Sequence, residues 1–155
     1  ITTINLQYIF NFFKVWILVG RKLSKQIYEA IVVMRQIAEM RKEVSQHGFD
    51  VRMMEVPGMK VAIAGDGEVN YLFMLLPFRD KFKLKKRDVW LFKKLSYKFK
   101  ARPFLVTFDK MLSFYPLHAL EEGGEHFELD IRNSRGLMFS FDTIVSEQLQ
   151  QRLVV

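Results

Sequence analysis

KVAIAGDGEVNYLFMLLPF, residues 60–78, is the stretch whose reading decides the fold. Two strand-like runs, Lys60–Ala64 and Val69–Phe78, flank Gly65-Asp66-Gly67, a glycine-rich turn that joins neighbouring strands into a hairpin. Upstream, Phe49–Val56 sets Phe49, Val51 and Met53 against Asp50 and Arg52, the period of a half-buried strand. Pro57-Gly58 turns that strand into the hairpin, so a three-strand meander follows. Before it, Arg35–His47 spaces Ile37, Met40, Arg41 and Val44 as a helix does and stops at His47-Gly48, a normal helix end. Ile27–Met34 (IYEAIVVM) has the β-branched density of a short buried strand.

Ile4–Gly20 is the most apolar part of the chain. As a membrane span it is short and carries Asn5, Gln7, Asn11 and Lys14; as a secretory signal it lacks a basic start and a small-residue cleavage site. A helix packed into a core or against a partner is the expectation.

Beyond the hairpin the charge changes character. Arg79–Arg102 reads RDKFKLKKRDVWLFKKLSYKFKAR and carries 11 of the 24 Lys and Arg, opposed by Asp80 and Asp88 alone. It is +9, while the whole chain of 155 residues is +7, so the remainder is slightly acidic. Phe82, Trp90, Phe92, Tyr97 and Phe99 are threaded through it. Cations interleaved with aromatics suit a surface that grips a polyanion, and a pI near 9.7 points to nucleic acid or an anionic surface.

The C-terminal part reads as strand Pro103–Phe108, a short helix Lys110–Leu120 broken by Pro116, a turn Glu121–Gly124, strand Glu128–Ile131, a polar loop Arg132–Gly136, strand Leu137–Phe141, and a last helix capped by Asp142 or Thr143. The expected class is α+β with two small α/β subdomains: helix-strand-helix plus meander over residues 1–78, a basic connector 79–88, and a mainly β part with a short helix over 89–155.

Catalytic signals are scarce. With no cysteine, disulfides, thiolate metal sites and cysteine nucleophiles are excluded. His118 and His126, with Glu121, Glu122 and Glu125 between them, lack the spacing that sets two ligands on one helix face and read as a surface loop. Neither a phosphate-cradling glycine loop nor a Gly-x-Ser-x-Gly elbow is present. Helix, hairpin and basic surface are similar in outline to the resolvase-like nucleases. Those need an acidic residue on the first hairpin strand and Glu-x-Lys on the second to hold a divalent metal. Here the strands read Val61-Ala62-Ile63 and Met74-Leu75-Leu76-Pro77. A catalytically inactive nuclease-like, DNA-binding protein is therefore the alternative reading.

The main reading rests on a resemblance in the second half. Phe92-Lys93-Lys94-Leu95-Ser96 and Lys100-Ala101-Arg102-Pro103-Phe104-Leu105-Val106 resemble a segment of the universal ribosomal small-subunit protein eight family. Asp130-Ile131-Arg132-Asn133-Ser134-Arg135-Gly136-Leu137-Met138 resembles that family's Ser-Thr-Ser-Lys-Gly-Leu-Met signature. Leu18-Val19-Gly20-Arg21-Lys22 and Glu43–Phe49 fit more weakly. Departures at Arg132-Asn133, Arg135 and Tyr97-Lys98 point to a diverged organellar version.

The resemblance implies a structural, non-enzymatic constituent of a mitochondrial small ribosomal subunit, in the matrix, with neither cofactor nor metal. Its partners would be small-subunit rRNA and neighbouring ribosomal proteins, with no membrane. It places rRNA contacts at Lys93, Lys94, Ser96, Lys98, Lys100 and Arg102 on a basic strand region, and at Arg132, Asn133, Ser134, Arg135 and Gly136. The chemistry of that loop, with two guanidinium groups, an amide, a hydroxyl and a glycine, suits the phosphates and 2′-hydroxyls of folded RNA. A third reading would lay Ile4–Gly20 and the basic stretch on anionic lipid.

Overall fold

A computed structural model of the protein describes residues 6–77 and 79–153. Phe78, the expected end of the second hairpin strand, lies outside them, as do Ile4 and Asn5. The chain divides into two units, Ile1–Arg35 and Gln36–Val155. The class is α+β, as expected.

Helix α1 runs over Leu6–Ser45. It takes in Ile27–Met34, which is helical rather than a strand. Between Arg21 and His47 there is neither Gly nor Pro to stop a helix, and β-branched residues lower helix propensity only slightly. A strand there would also need a partner, and the sheet pairs other segments.

In the second unit, β1 (Asp50–Val56), β2 (Met59–Gly65) and β3 (Asn70–Leu76) form the expected meander. Asp66 shapes the hairpin turn: its Oδ1 accepts the Glu68 and Val69 N–H groups at 2.9 and 2.8 Å, while Gly67 takes φ +93°. Strand β4 (Lys81–Lys85) leads directly into helix α2 (Lys86–Lys98), and β5 (Ala101–Phe108) returns parallel to β3. A parallel neighbour requires such a crossover. Strand β6 (Leu112–Pro116) completes a sheet of order β1-β2-β3-β5-β6. A smaller sheet, β4-β8-β7, pairs β4 with β8 (His126–Asp130) and β8 with β7 (Glu121–Gly123). Helix α3 (Phe141–Leu153) closes the chain.

Several local expectations change. Lys110–Leu120 is not a helix: Phe108 pairs with Leu112 across a tight turn, β6 follows, and Pro116 leads only into a 3-10 turn at Leu117–Ala119. The expected turn at Glu121–Gly124 contains β7. Of Leu137–Phe141, Phe139 alone bridges, to Phe114. Ser140 is the cap of α3, its Oγ accepting the Thr143 N–H at 3.2 Å.

The large sheet is covered on both faces, giving three layers. Met40 and Val44 of α1 and Phe141 and Ile144 of α3 pack with Ala62, Phe73, Val106 and Phe114. On the other face Phe92 of α2, Phe82 of β4 and Leu129 of β8 pack with Val61, Leu72, Leu105 and Tyr115. Every residue from Tyr71 to Leu76 is consequently buried, as a strand flanked and covered on both sides must be. The Phe141 ring meets Phe49, Tyr71 and Phe73 edge-on and Phe114 at a tilt, at 5.5 to 6.1 Å; aromatic pairs of this kind add about 0.5–1.5 kcal/mol each beyond burial.

Candidate nucleic-acid interface

The basic stretch folds as a strand and a helix. In β4, Lys81, Lys83 and Lys85 are exposed while Phe82 is buried, the alternation of a half-buried strand at a sheet edge guarded by lysine. In α2, Val89, Phe92 and Ser96 face inward at helical spacing. Arg87, Trp90, Lys93, Lys94, Tyr97 and Lys98 therefore face solvent. Lys93, Lys94 and Lys98 lie on a helix, so the expected basic strand region is corrected; among its members only Arg102 is on a strand, β5. Ser96 is buried and its Oγ donates to the Lys93 carbonyl at 2.7 Å. It is a helix-packing residue.

Helix α2 ends by bonding the Phe99 N–H to the Leu95 carbonyl at 3.0 Å and the Lys100 N–H to the Tyr97 carbonyl at 3.2 Å. Lys100 adopts φ 49°, the left-handed position where helices usually end on glycine. The turn brings Lys93, Tyr97, Lys100 and Arg102 around one groove, together with Asn70 and Gln148. The Asn70 amide is fixed by donating to the Phe99 carbonyl at 3.1 Å. The groove lies where β3 and β5 begin. Tyr97 is 83% exposed beside these cations, an arrangement able to neutralise phosphate and stack a base.

Part of the charge is already matched. Lys86 Nζ meets Glu122 at 2.7 Å and Lys81 meets Glu128 at 3.3 Å. The Lys86 hydrogen bond, then its charge, holds the Glu122 carboxyl below its ordinary range. Lys83, Lys85, Arg87, Lys94, Lys98, Lys100 and Arg102 make no ion pair within 4.0 Å among the described residues. Positive potential thus remains on the exposed side of α2 and the turn after it.

The Arg132–Gly136 loop is tied to itself. Asp130 accepts the Arg132 N–H and the Asn133 side-chain amide, both at 3.1 Å. Ser134 is buried with its N–H on the Asp130 carbonyl at 2.9 Å. Arg132 approaches Asp80 at 3.8 Å, whereas Arg135 and Gly136 are exposed. None of these five residues lines the groove at Arg102. Asn70 and Gln148, which do, carried no motif in the sequence; only the fold sets them beside the cations.

The hairpin strands do not fit a divalent metal. Val61, Ala62 and Ala64 of β2 and Leu75 and Leu76 of β3 are buried apolar residues. Over the far end of β3, Gln36 of α1, 3% exposed, donates its amide to the carbonyls of Leu76 at 2.9 Å and Val106 at 3.2 Å. Among the described residues no group of three or more His, Cys, Asp and Glu side chains is placed to hold an ion.

This layered α+β fold, with its hairpin, crossover helix and mixed sheet, is shared with Hjc, a Holliday junction resolvase from the hyperthermophile Archaeoglobus fulgidus. The match has a TM-score of 0.61 and 18% identity and covers 70% of this chain and 98% of that one. The chain belongs to the family of the uncharacterized protein ORF6′ of Methanothermobacter thermautotrophicus, with 98% identity over 122 residues, which are 79% of this chain and all of that protein. No protein-family model matches the sequence.

These findings overturn the ribosomal reading. The fold is shared with a Holliday junction resolvase, and the segments that resembled the ribosomal family form part of α2, the start of β5 and a self-bonded loop with a 3-10 turn at Arg135–Leu137. The short motifs matched in residue type, while periodicity at Val89, Phe92 and Ser96 made the first of them a helix. The rRNA and ribosomal-protein partners go with that reading. So does the mitochondrial location, since the relative is archaeal and archaea have no mitochondria. The expectation that the chain is no enzyme loses its basis too, because the fold is shared with a Holliday junction resolvase.

Proposed function

We propose that the second unit, Gln36–Val155, binds branched DNA through the exposed face of α2 and the groove at its end. One observation carries the reading: on a fold shared with a resolvase, Lys94, Lys98, Lys100 and Arg102 have no acidic partner within 4.0 Å among the described residues and flank an exposed Tyr97. Backbone phosphates supply the counter-charge for such a face, and a junction presents duplex arms and unstacked bases to it together. Lys83 and Lys85 of β4, the strand that leads directly into α2, extend the basic surface available to a second arm.

The test is a competition assay among a four-way DNA junction, a linear duplex of the same strands and a structured RNA. The junction is expected to compete at least ten-fold better than either. Equal competition by the RNA would remove the reading. The same junction incubated with Mg2+ and Mn2+ decides cleavage separately from binding.

A further inference from the structure

In the first unit, residues 9–34 of α1 carry Phe12, Trp16, Leu18, Tyr28 and Met34, each more than 60% exposed. Ordinary surface helices bury an apolar stripe and expose the rest; the charges here are instead the minority. On a wheel of 100° per residue, Lys14, Arg21, Lys22, Lys25 and Glu29 all fall within an arc of about 100°. Leu18 and Val32 are the apolar residues inside that arc, and Gly20, Ser24 and Gln26 interrupt the apolar character outside it.

We propose that residues 9–34 form an interfacial helix lying in the surface of an anionic lipid membrane. The cations sit at the headgroups, with Trp16, Leu23 and Ile27 among the acyl chains. Width argues for lipid over a second copy of this chain. A partner helix covers one seam, whereas an apolar arc of about 260° needs a medium that wraps it. Charge argues for an anionic surface, since four cations face one carboxylate on the stripe. The position of the charge sets the orientation. Arg21, Lys22 and Lys25 lie around the middle of the segment, so upright insertion would bury them near the bilayer centre. Among the described residues no helix is long and apolar enough to cross a membrane. A helix lying flat keeps the whole stripe at the surface. This inference goes beyond DNA binding and is independent of it.

Flotation of the full chain with vesicles tests it. Vesicles containing phosphatidylglycerol are expected to carry the protein upward, and pure phosphatidylcholine vesicles at least ten-fold less. In a Trp90→Phe chain, which leaves Trp16 as the sole tryptophan, emission should shift to the blue on adding the anionic vesicles. Lys14→Glu, Lys22→Glu and Lys25→Glu together should abolish flotation, while Lys94→Glu with Lys98→Glu on α2 should leave it intact. Absence of flotation on anionic vesicles overturns the proposal. So does flotation lost through the α2 pair alone, or a lipid-free oligomer in which Trp16 is already blue-shifted and lipid adds nothing.

Discussion

The Gln36 side chain donates to the Leu76 carbonyl at 2.9 Å across 40 residues of sequence. The same amide donates to the Val106 carbonyl at 3.2 Å. It thereby joins α1 to both members of the parallel pair, at the end of β3. Gln36→Leu keeps the volume and removes both donors, leaving two carbonyls short of a partner in a buried place. Unfolding in urea is expected to show a loss of about 2 kcal/mol. An unchanged midpoint would mean that water replaces the amide.

Lys100 combines a strained backbone with a proposed binding role, and one substitution separates the two. Lys100→Gly relieves the left-handed φ of 49° and should raise stability by about 1 kcal/mol. It also removes a cation from the groove. A higher Tm together with weaker junction binding is the expected pair of results.

DNA binding should depend steeply on salt. Lys94→Ala, Lys98→Ala and Arg102→Ala combined are expected to lower junction affinity by more than ten-fold. The slope of log K against log salt should flatten by about 0.9 for each phosphate that the triple variant leaves without a cation. Ser96→Ala serves as the contrast: its hydroxyl is turned to the Lys93 carbonyl, so affinity and slope should stay as in the wild type.

Glu43 supplies the pH dependence. Burial, then the Asp142 charge, holds its carboxyl above the ordinary range, although His47 and the Phe141 N–H pull the other way. The folded state therefore binds more protons than the unfolded one in the window above the unfolded value, and this group's contribution to stability falls as pH rises through it. Glu43→Gln keeps an acceptor for Phe141 and carries no charge. It should be more stable than wild type at pH 7, with the difference closing below about pH 4. Paired melts at both pH values check this.

The α3 cap gives a local test. Ser140 Oγ accepts the Thr143 N–H, so Ser140→Ala should cost about 1 kcal/mol, while Ser140→Asp should keep most of the stability.

The hairpin at residues 60–78 was legible because its information is local. Short apolar runs on either side of Gly65-Asp66-Gly67 specify two paired strands by the turn between them, and His47-Gly48 ends a helix by its own backbone chemistry. The +9 charge of Arg79–Arg102 was likewise visible by counting, as was the lack of carboxylates on Val61-Ala62-Ile63 and Met74-Leu75-Leu76-Pro77. Tertiary structure decided the rest, since it depends on partners distant in sequence. Ile27–Met34 has the composition of a strand but continues α1, since strands exist by pairing and none pairs with it. The parallel alignment of β3 with β5 set Asn70 beside Lys100 and Arg102, and helical packing of Phe92 turned Lys94 and Lys98 outward. Short motif matches around Ser96 and Ser134 misled for the same reason. Both serines are buried in this fold, and burial is a property of the assembled molecule.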